Sequence, residues 1–385
     1  FEAAKKVLFL KKDELKDTTI HTLPQSHRET DLLLALIEAF MGEGLKAKEL
    51  AQAGIQQGIS YKSPYVEACG WIRMGHAVQI LNKYDSSLAE SCYQTSLEIM
   101  EQIHVNRGKA EPLMGLCILY GTRGELERAL EAGKKALMET EKVHDAWLSS
   151  LITLGMGITC LYNERVPKGH DFLVKADALF GQCEDGYGQM LGKFWLAYVY
   201  YLEKQQGLFK ETINAFLNLV QIHEYEFFFH KRTVFGPRDL QIFVPLLIEC
   251  LREKIQPSYV KKILQDMGIT AHDSHPGYSI RVQTLGYFKL WLGEKEVGDK
   301  DWQREKAKEL FQLLITVSEF MTKDEIIALL WPNQEKKSAD RDFKVALNCL
   351  HNVLEPHRKA RAAPFFIIRE GMFYGLNPDA VIEMD

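Results

Sequence analysis

The chain has 385 residues, 46% apolar and 26% charged, a composition typical of globular proteins that excludes a disordered or fibrous one. Its length predicts two or three domains. The formal net charge of −5 does not favour nucleic acid as a partner, so any case for nucleic-acid binding has to rest on local charge. The seven cysteines include no Cys-x-x-Cys pair, which favours reduced thiols and a cytoplasmic location.

The first residues indicate that the chain is part of a longer protein. Phe1 opens within an amphipathic helical pattern and is not preceded by Met, as if an earlier segment had been removed. Further along, the uncharged run 146–163 is long enough to span a membrane but contains Ser, Thr, Asn and Gly. This composition predicts a buried helix, and no membrane is expected as a partner.

Residues 28 to about 225 carry a repeated helical pattern. Taking Ala47, Ala89, Ala129, Gly169 and Thr212 as one register point gives spacings of 42, 40, 40 and 43 residues. This pattern resembles tetratricopeptide repeats, although its period exceeds their usual length of about 34 residues. The longer period is similar to that of the sensor domain of MalT-type regulators. We therefore expect a tetratricopeptide-like helical repeat sensor domain over residues 1–255.

Stacked helical repeats expose a long surface that is lined mostly by the first helix of each pair. We expect an effector, either a small molecule or a partner protein, to bind there. The alternative is that each candidate side chain packs between helices. The candidates are Trp71, Arg73, His76, Tyr120, Trp147, Trp195 and Tyr198.

After the repeats, residues 244–251 and 259–267 have helical patterns, and Gly268 is placed to end the second helix. The polar segment 269–277 contains a Pro-Gly pair and predicts a linker. We therefore expect a short helix and linker over residues 256–277.

Residues 278–385 predict a winged helix-turn-helix, a small α+β domain appended to a mainly α chain. A strand pair lies over 280–291, and a first helix follows from Trp302. The segment 322–325 is a capping box that opens a second helix, which ends at Pro332. A third helix over 338–354 and a hairpin over 365–374 complete the pattern, in which the third helix enters the major groove.

The same residues carry a family resemblance. The ordered set Leu285-Gly-Tyr-Phe288, Trp302-Gln-Arg-Glu-Lys-Ala307, Leu330-Trp-Pro332, Ala346-Leu347, Leu350, Leu354-Glu-Pro356 and Tyr374 resembles the Streptomyces antibiotic regulatory protein family. That family has an OmpR-type winged helix and activates transcription, so the resemblance implies promoter DNA and RNA polymerase as partners. The chain departs from this family in two ways. His351-Asn352 follows Leu350, where the family usually has Arg. The helical region precedes the winged helix, whereas in the family it commonly follows it.

The third helix carries a polar stripe opposite its apolar one, and such side chains can bond base edges in the major groove. A solvated helix face is the alternative for these residues. Basic residues also exceed acidic ones between Lys336 and Arg369, which would attract phosphates. The expected base contacts are Arg341, Lys344, Val345, Asn348 and Asn352, and the expected phosphate contacts are Thr322, Lys323, Lys337, Arg358, Lys359, Arg361 and Arg369.

No enzyme chemistry is predicted for this chain. The segment 188–194 resembles a phosphate loop but is one residue too short and lacks the Ser or Thr of that motif. It also falls within a repeat helix. The pair His272 and His275 lacks a third ligand for a metal site. We expect no cofactor and homo-oligomers of the full-length protein. The resemblance to MalT-type regulators implies that a nucleotide-hydrolysing domain, if the full-length protein has one, lies outside this chain. The rival hypothesis is a scaffold that binds no DNA and uses both domains for protein–protein contacts.

Overall fold

The computed structural model describes residues 3–6, 30–269, 275–359 and 361–385. The chain is mainly helical with a small sheet region towards its C-terminus, which confirms the mainly α class. It divides into two compact units, residues 1–238 and 239–385. Within the described residues, no helix combines the length and the apolar character that crossing a membrane requires.

The first unit is a series of helix pairs in which neighbouring helices along the chain pack against each other, and the first helix of each pair also contacts the first helix of the next. The first helices are α1 (Thr30–Phe40), α3 (Pro64–Leu81), α5 (Ala110–Thr122), α7 (Ala146–Tyr162) and α9 (Gly186–Leu202). The second helices are α2 (Gly44–Ser60), α4 (Ser87–Gln102), α6 (Leu126–Glu141), α8 (Val166–Gln182) and α10 (Gln206–His223). As expected, segments 146–162 and 188–194 are helical.

The helices of the first unit end at regular intervals. A residue with positive φ follows the helix at positions 104, 124, 144, 164, 184, 204 and 224, at intervals of 20 residues. The next amide then donates to a carbonyl five residues back, as Glu125 does to Tyr120 and Asp145 does to Thr140. This hydrogen bond defines the Schellman motif, which satisfies carbonyls that a helix end leaves unpaired. Two such helices make one repeat.

The repeat register expected from the sequence holds at four of its five positions. Ala47, Ala89, Ala129 and Gly169 lie buried in the first turn of their helices. The prediction that Thr212 is the fifth register position is wrong, because Phe209 occupies the equivalent place in α10. The Phe209 amide donates to Gln205 just as the Gly169 amide donates to Arg165. A bulky aromatic at a position held elsewhere by Ala or Gly hid the correspondence.

The second unit begins with α11 (Phe243–Arg252) and α12 (Pro257–Asp266) and contains two small sheets. One sheet has strand order β3-β2-β1-β7 and the other β4-β6-β5. The strands are β1 (Ile280–Gln283), β2 (Lys289–Leu292), β3 (Lys295–Glu296), β4 (Met321–Thr322), β5 (Ile367–Glu370), β6 (Phe373–Leu376) and β7 (Ile382–Met384). The remaining helices are α13 (Glu305–Val317), α14 (Lys323–Leu330) and α15 (Lys336–Leu354).

The division between the units lies at 238/239, whereas the sequence placed the repeat domain up to 255 and a linker over 256–277. Side-chain contacts account for the difference. The carboxylate of Asp239 accepts hydrogen bonds from the amide and hydroxyl of Ser279 at 2.8 and 3.0 Å, and His275 contacts Gln241 at 2.9 Å. Helices α11 and α12 therefore belong to the second unit. Residues 270–274 of the expected linker, including His272, lie outside the described residues.

Candidate nucleic-acid interface

Helix α15 is anchored in the second unit by one apolar face. Its residues Phe343, Ala346 and Leu350 are each at most 1% exposed and lie in the hydrophobic core. The Phe343 ring packs edge-on against Tyr374 of the hairpin, with centroids 5.2 Å apart, and α15 also contacts α13 and α14. These contacts fix the rotation of the helix and so determine which face meets solvent.

The opposite face of α15 is polar. Arg341, Lys344, Asn348 and Asn352 are exposed, at the i, i+3/i+4 spacing of one helix face. Val345 is only partly exposed and packs against the core, so it is less available to a thymine methyl than expected. Four of the five predicted base-contact residues therefore share one exposed stripe.

Carboxylates offset part of the positive charge near the start of α15. Lys323 lies 2.8 Å from Asp340, Arg341 lies 3.4 Å from Asp342, and Lys336 lies 3.7 Å from Asp324. The hydrogen bond between Lys323 and Asp340 raises the pKa of the lysine and lowers that of the aspartate. Lys337 and Lys344 are exposed, although the charge of Lys344 also helps to lower the pKa of Asp340.

The capping box expected at Thr322 is present. The amide of Thr322 donates to the Glu325 carboxylate at 2.8 Å, and the Glu325 amide donates back to the Thr322 hydroxyl at 3.3 Å. The Thr322 amide is therefore already used inside the chain, and a carboxylate lies at the start of α14. Both features oppose the phosphate contact predicted for Thr322. The side chain of Lys323 is likewise engaged, because it forms an ion pair with Asp340.

The end of α15 is held by Glu355, which is 5% exposed. Its Oε1 accepts hydrogen bonds from the amides of Phe365 and Phe366 at 2.7 and 3.1 Å. Arg358 lies 3.8 Å from the same carboxylate and donates to the carbonyl of Ala362. Burial raises the pKa of Glu355, although the two amides and Arg358 oppose this. The Leu-Glu-Pro segment is thus a support for the hairpin, and Arg358 is engaged in it rather than free for phosphate.

His351, which stands where antibiotic regulatory proteins usually have Arg, carries no charge at neutral pH. His351 is partly buried, and burial lowers its pKa to about 4. It therefore cannot supply the cation that an Arg would provide. Lys359 and Arg361 are exposed on the loop that follows α15.

The hairpin of β5 and β6 turns at Gly371, which has a φ of +61°. Arg369 lies on β5, donates to the carbonyl of Gly371 at 2.7 Å and has its guanidinium 5.6 Å from the Tyr374 ring centroid. Met372 and Phe373 are exposed at the tip. Arg369 therefore lies near the tip of the hairpin, as expected, but is oriented by bonds within it.

The candidate effector residues of the first unit do not form one exposed surface. Trp195 is 1% exposed and donates to the carbonyl of Phe235 at 2.8 Å. Tyr120 is buried and donates to Glu90 at 3.0 Å. Trp147 is exposed and donates to Asp185 at 2.9 Å, while Trp71 and Tyr198 are partly exposed. The buried members pack between helices, which was the alternative for each of them.

Arg73 and His76 belong to a buried polar cluster. The Arg73 guanidinium pairs with Glu111 and donates to the carbonyl of Leu32 at 3.2 Å. His76 lies 3.0 Å from Glu111 through Nε2 and 2.8 Å from the Tyr93 hydroxyl through Nδ1. Burial lowers the pKa of His76, although Glu111 opposes this, and the Tyr93 hydroxyl donates to Gln79 Oε1 at 2.8 Å. Burial alone would raise the pKa of Glu111, but Arg73 and His76 outweigh it and lower the pKa to about 2.

Through these contacts the cluster links α3, α4 and α5, so its side chains stabilise the helix pairs. The sequence did not indicate Glu111 or Tyr93 as their partners, because both come from other helices.

No group of three or more His, Cys, Asp or Glu side chains that could hold a metal occurs in the described part of the chain. In comparisons with known proteins, no family model and no curated protein matches the chain.

Proposed function

We propose that the second unit contains a winged helix-turn-helix that binds double-stranded DNA, and that the chain is part of a bacterial transcription regulator. The carrying observation is the element order α13-β4-α14-α15-β5-β6, with β4 paired to β6 and one polar face of α15 exposed. In winged helix-turn-helix proteins the last helix of such a set enters the major groove.

The side chains of this face suit base recognition. Asn348 and Asn352 offer the donor and acceptor pair that matches an adenine edge, and Arg341 and Lys344 can donate to guanine. Lys337, Lys359 and Arg361 are exposed cations for the flanking phosphates. Because Asp340 and Asp324 pair with Lys323 and Lys336, we expect the DNA contacts on α15 rather than at Thr322 and Lys323.

For the first unit, the pairs of helices that recur every 40 residues support a tetratricopeptide-like solenoid with a sensing role. The resemblance to antibiotic regulatory proteins favours an activator that contacts RNA polymerase in the cytoplasm. An effector would bind the array at its exposed side chains, of which Trp147 is the largest among the candidates.

A second candidate function is that of a scaffold without DNA binding. It is favoured by Leu285 and Tyr287, which are 72% and 86% exposed in the turn between β1 and β2 and could bury against a protein partner. The pairing of Lys323 and Lys336 with aspartates near the start of α15 also favours a scaffold, because it reduces the positive charge available to DNA.

Selection of binding sites from random duplex DNA separates the two functions. If the proposal holds, a shared sequence emerges, and Lys344→Ala or Asn348→Ala weakens binding to it by roughly 1–3 kcal/mol each. Lys295→Ala is the matched control, since that exposed lysine lies in β3, in the other sheet. No enrichment, or equal losses for Lys344→Ala and Lys295→Ala, would favour the scaffold.

A further inference from the structure

The end of the first unit is a segment without helix or strand that crosses the ends of several helices. We define the inner strap as residues 231–238, Lys-Arg-Thr-Val-Phe-Gly-Pro-Arg. It follows the aromatic turn after α10, in which Phe228 and Phe229 pack against Phe216. Thr233, Val234, Phe235, Gly236 and Pro237 in its middle are buried, whereas both arginines are partly exposed.

The strap is held by one ring and by charged groups at its two ends. Phe235 packs edge-on against Phe40 at the end of α1, with centroids 5.7 Å apart, and its carbonyl accepts the bond from Trp195 of α9. Lys231 pairs with Glu43 just after α1. The ring therefore lies where α1 and α9 meet, close to the bond from the Tyr187 hydroxyl to the Phe40 carbonyl.

The two arginines bind the C-terminal ends of the first helices. Arg232 donates to the carbonyl of Leu81, the last residue of α3, at 3.3 Å. Arg238 donates to the carbonyl of Thr122 at the end of α5 at 3.3 Å and to that of Lys83. Its own amide contacts the hydroxyl of Tyr162, the last residue of α7, at 3.3 Å. Helix C-termini carry partial negative charge and unpaired carbonyls, so cationic donors are the groups they prefer.

The strap does not pack tightly against the helices along its whole length. A cavity of about 40 Å³ lies between them, lined by Gln79, Asn82, Thr122, Tyr162 and strap residues. Ile80, Ile118 and Ile158 make most of the lining apolar, but its polar groups and its size allow water to enter. The bonds made by the arginines can therefore be exchanged for bonds to water or to another donor, while the ring of Phe235 gives the segment its register.

From this arrangement we propose that the inner strap is an internal ligand of the helix array. The site it occupies is a peptide site that takes an extended segment with the pattern Arg-x-x-Phe-x-x-Arg, supplied by a partner protein. A competing segment inserts its aromatic ring between α1 and α9 and caps α3 and α5 with its two guanidinium groups. The proposal does not depend on DNA binding by the second unit.

The probe is a fluorescein-labelled synthetic peptide of residues 230–240, added to the full chain. When an internal segment blocks a site, apparent affinity scales with the fraction of molecules in which it is released. Arg238→Gln weakens the hold on α3 and α5, so we expect the peptide to bind this variant at least about ten-fold more tightly than the parent chain. Arg128→Gln, an exposed cation of α6 paired with Glu125, is the matched control and should bind the peptide like the parent.

A peptide with Gln in place of both arginines, and one with Ala in place of the phenylalanine, should each fail to compete. Chymotrypsin gives a second measurement, because Phe235 is fully buried and should be cut only when the strap is released, faster in Arg238→Gln than in Arg128→Gln. If Arg238→Gln does not fold, Arg232→Gln takes its place, since it removes the hydrogen bond to the carbonyl of Leu81 at the end of α3. Equal peptide binding by parent and folded variant, or equal binding of the Gln-substituted peptide, overturns the proposal and leaves the strap as a permanent part of the core.

Discussion

Replacing Glu111 by Gln should destabilise the first unit, and the effect can be worked out from its contacts. The substitution keeps the size of the side chain but removes the charge that Arg73 faces. Arg73 is 8% exposed, and its other described bond is to the neutral carbonyl of Leu32. A buried cation that loses its partner costs roughly 3–5 kcal/mol. Because the Glu111 side chain is 20% exposed, some of this is recovered by water, and we expect a loss of about 3 kcal/mol at pH 7.

The pH dependence gives an independent measure of the same contact. In the folded chain the pKa of Glu111 is about 2, below its ordinary value of 4.5. A lowered carboxyl pKa contributes stability above the ordinary value, and that stability is lost as pH falls from about 4.5 towards 2. A carboxyl pKa that folding lowers by one contributes about 1.4 kcal/mol to the free energy of unfolding. The lowered pKa of His76 adds a loss that begins as pH falls below 6.5, because the unfolded imidazole takes up a proton first.

The assay is urea denaturation followed by circular dichroism, at several pH values from 7 down to the onset of acid unfolding. Glu111→Gln should lower the midpoint at pH 7 and show a shallower loss of stability below pH 4.5 than the parent. Glu131→Gln is the control, because its exposed pair with Lys135 lies on the surface of α6, and its midpoint should not move. An unchanged midpoint for Glu111→Gln, or identical slopes below pH 4.5, would refute the account of this cluster.

Three further predictions concern the second unit. Glu355→Ala leaves the buried amides of Phe365 and Phe366 without an acceptor and should cost about 1–3 kcal/mol of stability by urea denaturation, whereas Glu370→Ala on the exposed part of β5 should have no effect. Thr322→Ala removes the capping bond of α14 and should cost about 0.5–2 kcal/mol; an unchanged melting temperature would contradict this role of the hydroxyl. Phe343→Ala empties a core position and should cost roughly 3–5 kcal/mol, with melting temperature and DNA binding falling together, while neighbouring Lys344→Ala should change binding alone.

Much of the second unit could be predicted because its signals are local. The capping box at Thr322 and the spacing of Phe343, Ala346 and Leu350 both act within one helix and its immediate neighbours. Helix α15 begins at Lys336, two residues before its expected start at Ser338. The strand β7 was missed because three residues that pair in parallel with β1 carry no alternation of their own. Asp385 supports that pairing by accepting bonds from the amides of Thr284 and Leu285.

The first unit was predicted in outline but not in its contacts. Its helix ends use residues such as His144, Glu164 and Lys204 in the left-handed conformation, which sequence rules assign mainly to Gly. The prediction that Trp195 lies on the exposed surface was wrong. The inner strap covers this side chain, and the strap is distant in sequence and has no helical or strand pattern. Nothing local in the sequence indicated that Arg232 and Arg238 reach helix ends over a hundred residues earlier.

The salt dependence of binding to a short duplex of random sequence tests the central claim most directly. Phosphate contacts release counterions, so the logarithm of the binding constant should fall linearly with the logarithm of salt concentration, by about 0.9 in slope per contact. If α15 and its flanking loop bind DNA, replacing the three expected phosphate contacts Lys337, Lys359 and Arg361 by Ala should reduce that slope by up to about 2.7. The control with Lys289 and Lys295 replaced by Ala should keep the parent slope. No binding at low salt, or equal slopes for both variants, would contradict the assignment of this face to DNA.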